Sequence, residues 1–112
     1  MSVTVANLKA AVLLAVRSGP YTADGTFETR VENVITHVVA DLNKVLDWWY
    51  KYHGLSTTAA TLPDELGAIG YVKALATVLL DIGRTDRGLA QMQTATLMIQ
   101  QLRGSYPGGQ AG

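Results

Sequence analysis

Four stretches of this chain place apolar residues at helical spacing, with glycine, proline or short polar loops between them. Residues 3–17, VTVANLKAAVLLAVR, carry Val5, Leu8, Val12, Ala15 and Val16 on one stripe, which Leu13 and Leu14 widen. Thr4 or Ser2 is placed to cap this helix, and Ser18-Gly19-Pro20 ends it. Residues 27–53 form the longest pattern. Phe27, Val31, Val34, Ile35, Val38, Val39, Leu42, Val45, Leu46 and Trp49 recur in steps of three, four and one, and Glu28 to Lys51 supply a charged opposite face. Thr26 is placed as its N-cap after an Asp24-Gly25 turn. About 25 residues at helical rise span roughly 37 Å and set the long axis of the domain. The many β-branched residues lower its intrinsic propensity, so tertiary packing must hold it.

The third pattern, Leu62 to Arg84, is apolar nearly all round. Leu66, Ile69, Val72, Ala76 and Leu79 or Leu80 line one face and Tyr71, Leu75, Val78 and Ile82 a second, leaving Lys73, Thr77 and Asp81 as one narrow polar stripe. Such a helix is buried among others. Pro63 fits the first helical turn, and Asp64 and Glu65 complement the dipole. A membrane span needs roughly 20 uncharged apolar residues, and Lys73 interrupts this run. At Gly83 two readings stand: a break before Arg84-Thr85-Asp86, with Thr85 capping a fourth helix to Arg103, or one long helix. The last pattern aligns Leu89, Met92, Thr96 and Ile99, with Ala90, Leu97 and Leu102 beside them and Gln91, Gln93, Thr94, Gln100 and Gln101 outward. With no strand-like alternation, the expected fold is all-α: an antiparallel bundle of four helices over residues 1–103, followed by a flexible Gly-rich tail, 104–112.

Composition narrows the function classes. The 112 residues make one domain large enough to need no disulfide or metal staple. Without cysteine there is no thiol chemistry or Cys-ligated zinc, and MSVTVANLK lacks the form of a signal peptide. Nine basic and nine acidic residues cancel, which gives no electrostatic case for nucleic acid or an anionic membrane. Only 16% of residues are charged against 48% hydrophobic, a balance that favours life in an assembly.

Chemistry-bearing motifs are few. His37 and His53 stand sixteen apart with no partner at ligand spacing, and Gly67-Ala-Ile-Gly70 lacks the lysine and preceding strand of a phosphate loop. Those two glycines instead suit the close approach of a neighbouring helix. Asp64 and Glu65 read as ordinary helix-start residues, and no set of titratable groups converges, so the expectation is a non-enzyme with no cofactor and no metal. The unusual patch is Asp47-Trp48-Trp49-Tyr50-Lys51-Tyr52-His53, closed by Gly54 as C-cap. Successive helical residues point about 100° apart, so Trp48, Trp49 and Tyr50 cannot all enter one small core. Core packing and a partner contact are weighed equally here, since Tyr and Trp are enriched at interfaces. Candidate interface residues are Trp48, Tyr50, Tyr52, His53 and Leu55, with Arg103, Tyr106 and Pro107 at the other end of the chain.

The order of these elements resembles the head–tail connector (adaptor) proteins of tailed bacteriophages. The carriers are the short helix VTVANLKAAV, the long V-x-x-VI-x-x-VV helix, the polar loop, LPDELGAIGYVKALATVLL and a closing helix, together residues 3–103. The Gln-rich last helix departs from the more charged one usual in that family. The resemblance implies a structural virion protein at the neck. It implies a homo-oligomeric ring, a dodecamer matching the portal, between a portal protein and the next neck or tail protein. DNA would pass through such a ring without sequence-specific contact, and loop 54–62, patch 48–53 and tail 104–112 would make the protein contacts. From the residues alone, a cytoplasmic helical protein-binding or regulatory module, dimeric in form, stays open beside it.

Overall fold

The computed structural model describes residues 2–16, 25–56 and 61–105. The chain opens in a three-residue strand, β1 (Ser2–Thr4), and turns into α1 (Val5–Val16) at Thr4. Thr4 Oγ1 accepts the Asn7 N–H at 3.2 Å while Asn7 Oδ1 accepts the Thr4 N–H at 3.1 Å, a reciprocal cap in which Asn replaces the usual Glu or Gln. The expected Thr4 cap is therefore real. After α1 come α2 (Gly25–Val45), α3 (Asp47–Tyr52), β2 (Thr61–Pro63), α4 (Asp64–Asp81) and α5 (Thr85–Ser105).

The all-α class holds, with two corrections. Among the described residues there are five helices, not four, because the expected helix 27–53 breaks at Leu46. Leu46 has φ −97° and ψ 14°, off the helical minimum, and its carbonyl accepts from both Trp49 and Tyr50 N–H. The bend re-aims the next turn so that Leu46, Trp49 and Tyr50 all enter the core, while Val45, expected on the buried stripe, is left exposed. The second correction is a small antiparallel sheet, with Ser2 opposite Pro63, Val3 opposite Leu62 and Thr4 opposite Thr61. Three-residue strands are too short to register as an alternation in sequence.

Helix boundaries shift by a residue or two. Pro63 closes β2 with extended ψ 152° and stands at the N-cap of α4 rather than inside its first turn. Thr26 and Thr85 lie inside α2 and α5 rather than capping them, and α5 runs to Ser105, two residues past the expected end. Gly83 resolves the open question in favour of a break. At φ +83° it occupies the left-handed region, Gly83 N–H donates to Leu80 C=O and Arg84 N–H to Leu79 C=O, the double bond of a Schellman cap. Gly54 closes α3 the same way, its N–H on Lys51 and that of Leu55 on Tyr50. The Ser18-Gly19-Pro20 stop and the residues after Ser105, with Tyr106 and Pro107, lie outside the described residues.

The core is built where α1, α2 and α4 meet. Leu8, Val12 and Val16 of α1 meet Val31, Ile35, Val38, Val39 and Leu42 of α2, and Leu66, Ile69, Leu75, Val78 and Leu79 of α4 fill the centre. Burying each such side chain contributes about 1.5–3 kcal/mol, which offsets the poor helix propensity of α2. The close approach expected at Gly67 and Gly70 occurs, but the sheet makes it as much as a helix does. A Cβ on Gly67 would stand 2.8 Å from Val3, and one on Gly70 2.5 Å from Leu62 and 3.6 Å from Leu8. Two surface pairs tie the elements together: Lys9 of α1 to Glu32 of α2 at 3.2 Å, and Arg30 of α2 to Asp81 of α4 at 2.7 Å.

α5 stands apart from this arrangement. It lies along α4 and shares no extensive contact with α1, α2 or α3. Its first turn is drawn close where Gly88 faces Leu80.

Candidate protein-contact surfaces

Each residue of the aromatic patch has its own place. Trp49 and Tyr50 are core residues, and Tyr50 keeps only 2% of its surface exposed. The Tyr50 hydroxyl donates to Asn43 Oδ1 at 2.5 Å, and Asn43 Nδ2 reaches the Thr61 carbonyl at 3.4 Å. This buried polar link ties α3 and α2 to β2, so Tyr50 serves the fold instead of presenting a surface. Burial pushes the Tyr50 phenol above its ordinary pKa. Trp49 Nε1 is buried with no acceptor among the described residues. Its ring meets His53 at 4.2 Å and the Tyr50 ring edge-on at 5.6 Å.

Outside this pair, Tyr52 is 51% exposed and rests edge-on against His53 at 5.1 Å. Leu55 is exposed beside them. The result is a row of rings from core to solvent: Tyr50, Trp49, His53, Tyr52. Lys51 pairs with Asp47 at 2.8 Å across one turn, and that hydrogen bond holds its ammonium above the usual lysine range. Trp48 is half-buried, and the Arg103 guanidinium stands 5.4 Å from its ring centroid. Two expected contact residues, far apart in sequence, thus meet each other: Arg103 fastens the end of α5 over α3. The Arg103 guanidinium is thus engaged within the fold.

The surface that sequence reasoning missed is the outer side of α5. The expected stripe Leu89, Met92, Thr96 and Ile99 is split: Leu89 and Thr96 are exposed, while Ile99 stays packed against the core. Leu89 is 52% and Leu97 56% exposed, and Thr96 is exposed between them. The buried side is instead Gly88 and Ala95, seven residues apart, with Met98, Ile99 and Leu102 partly buried alongside. Small residues at that spacing mark a helix lying close on its neighbour, and this was the available signal.

Leu89, Met92, Gln93, Thr96, Leu97 and Gln100 line a shallow hollow of about 390 Å³. The Thr96 hydroxyl donates to the Met92 carbonyl at 3.0 Å and so is satisfied within the helix. From Gly88 to Leu102 the helix carries no charged residue. A second, largely apolar face lies on α1, where Ala6, Lys9, Ala10, Leu13 and Leu14 border a hollow of about 440 Å³. Leu14 is 73% exposed.

Among the described residues no three His, Asp or Glu side chains gather at metal-binding distance, and no helix is long and apolar enough to cross a membrane. His37 lies exposed on α2, away from His53. A scan against protein-family models, a search of curated proteins and a search of solved structures each return no match, so function is read from the residues and geometry of this chain.

Proposed function

We propose that this chain is a structural assembly subunit, a head–tail connector (adaptor) of a tailed-bacteriophage virion. In this reading it forms a ring, twelve copies matching the portal, between a portal protein and the next neck or tail protein. One observation carries the reading: α5 packs mainly on α4 and turns an uncharged face with Leu89, Met92 and Leu97 to the outside. A face of this kind gains by removal from water against another protein. The exposed aromatic end, Tyr52, His53 and Leu55, supports a second contact with a neighbouring protein at the other rim. The low charge and cancelling net charge fit a subunit that is not kept apart from its copies by repulsion.

Co-purification of the full chain with a portal ring tests the reading. Retention on the portal at a fixed stoichiometry is the expected result; a chain that passes through unbound overturns it. The same α5 face also favours a second reading, the dimeric cytoplasmic binding module, in which α5 pairs with α5 of one other copy.

A further inference from the structure

A third hollow, of about 310 Å³, lies where the end of α5 meets the start of α4. The hollows on α1 and on the outer side of α5 are each lined by one helix; this one is lined by two, so a group entering it is held from two sides. Ala68 and Ile69 of α4 and Met98 and Leu102 of α5 supply apolar walls, and Glu65 and Ser105 complete the lining. Ile69 belongs to the core, and Met98 and Leu102 pack against it with part of their surface still open. The Ser105 hydroxyl donates to the Gln101 carbonyl at 3.1 Å, while the Glu65 side chain is exposed. Such a lining suits an apolar ring that carries one hydroxyl donor.

The sequence puts that group one residue beyond the hollow. Ser105 is the last described residue, and Tyr106 follows it, then Pro107 and Gly108-Gly109. Tyr106 is the one aromatic residue of 106–112. On a continued helix it would point about 100° away from Ser105 and miss the hollow. Pro107 disfavours helical geometry at the residue before it, which frees Tyr106 to turn back over Ser105. The two Cα atoms are about 3.8 Å apart, well within the reach of a tyrosine side chain.

The tether also selects this occupant over one from another molecule. A ring attached beside the hollow is present at an effective concentration on the order of millimolar or more. A side chain of another protein must exceed that from free solution and also lose its translational freedom.

We infer that the hollow between α4 and α5 seats this chain's own Tyr106. Its ring packs on Ala68, Ile69, Met98 and Leu102, and its hydroxyl donates to the Glu65 carboxylate. The seat fixes the root of the tail, so the residues past Pro107 set out from the start of α4. Tyr106 is then used within the fold, as Tyr50 and Arg103 are, and contacts of the tail with other proteins begin after it.

Nuclear magnetic resonance of the full chain tests the inference, with the Tyr106 ring signals assigned by their loss in Tyr106→Ala. Nuclear Overhauser contacts are expected from that ring to the methyl groups of Ala68, Ile69 and Met98. Ala68→Gln adds bulk at an exposed position of the wall, where the fold tolerates it. It should abolish those contacts and leave the core signals in place. Absence of the contacts in the wild type, with ring signals as narrow as those of a free Tyr-Pro peptide, would overturn the inference. So would contacts that persist unchanged in Ala68→Gln. In an equal mixture of isotope-labelled and unlabelled chains, contacts found only between the two kinds would overturn it in favour of the tail of a second copy. No portal enters this experiment, so its outcome and that of the co-purification are read separately.

Discussion

Helices α2 and α5 have the same length, 21 residues, and meet their surroundings in opposite ways. α2 buries Val31, Ile35, Val38, Val39 and Leu42, and sends Arg30, Glu32, His37, Asp41 and Lys44 to water. α5 buries only Gly88 and Ala95 fully and exposes Leu89 and Leu97 on a side without charge. In α2 the apolar residues find the core and the charged ones find solvent, so the helix is complete within one chain. In α5 the larger apolar residues are divided between two sides, and the fold satisfies one of them. The difference teaches that apolar content alone does not locate a core; the small residues show where the neighbouring helix lies.

Substitutions should separate the two helices, beginning with the largest effect. Leu42→Ala removes a fully buried side chain between α1, α2 and α4 and should cost about 2–5 kcal/mol in denaturant unfolding. Gly83→Val forces a β-branched residue into φ +83° at the α4–α5 cap and should cost about 1–2 kcal/mol. Its effect should fall first on α5, seen as faster amide exchange there than in α2.

Tyr50→Phe removes the hydroxyl donated to Asn43 and should cost about 1 kcal/mol near neutral pH. The same variant sharpens the pH behaviour. The folded Tyr50 phenol titrates above its unfolded value, so the native state holds that proton longer. Its contribution is fully present below about pH 10 and is lost as pH rises through the folded value. Alkaline unfolding curves should therefore be less steep in Tyr50→Phe than in the wild type. The smallest effect is expected at Leu97→Ala, within about 0.5 kcal/mol of wild type. A cost like that of Leu42→Ala would erase the contrast between the helices.

Much of the fold was legible because its signals are local. The Thr4 cap, the all-round apolar α4 and the glycine at the end of α3 follow from residue type and spacing. The bend at Leu46 was not legible, because neither glycine nor proline marks it and the apolar steps run on to Trp49. Burying Trp49 and Tyr50 together is what decides it, and that is a tertiary effect. The strand pair at Val3 and Leu62 was hidden by its length and by the long stretch of chain between its halves. Of the expected contact residues, Tyr52, His53 and Leu55 stand exposed. Tyr50 and Arg103 were drawn into the fold by Asn43 and Trp48, partners that sequence order does not place beside them. The α5 face was missed because Leu89 and Leu97 were assigned inward on hydrophobicity, ahead of Gly88 and Ala95.

The central claim is that the outer face of α5 serves assembly and not the fold. The most direct measurement compares wild type with a Leu89→Glu/Leu97→Glu double variant, following thermal unfolding and retention on a portal ring side by side. The account predicts unfolding close to that of wild type, with retention lost because the charged pair has to be desolvated to form the contact. A double variant that is retained as well as wild type, or one that no longer folds, would contradict it.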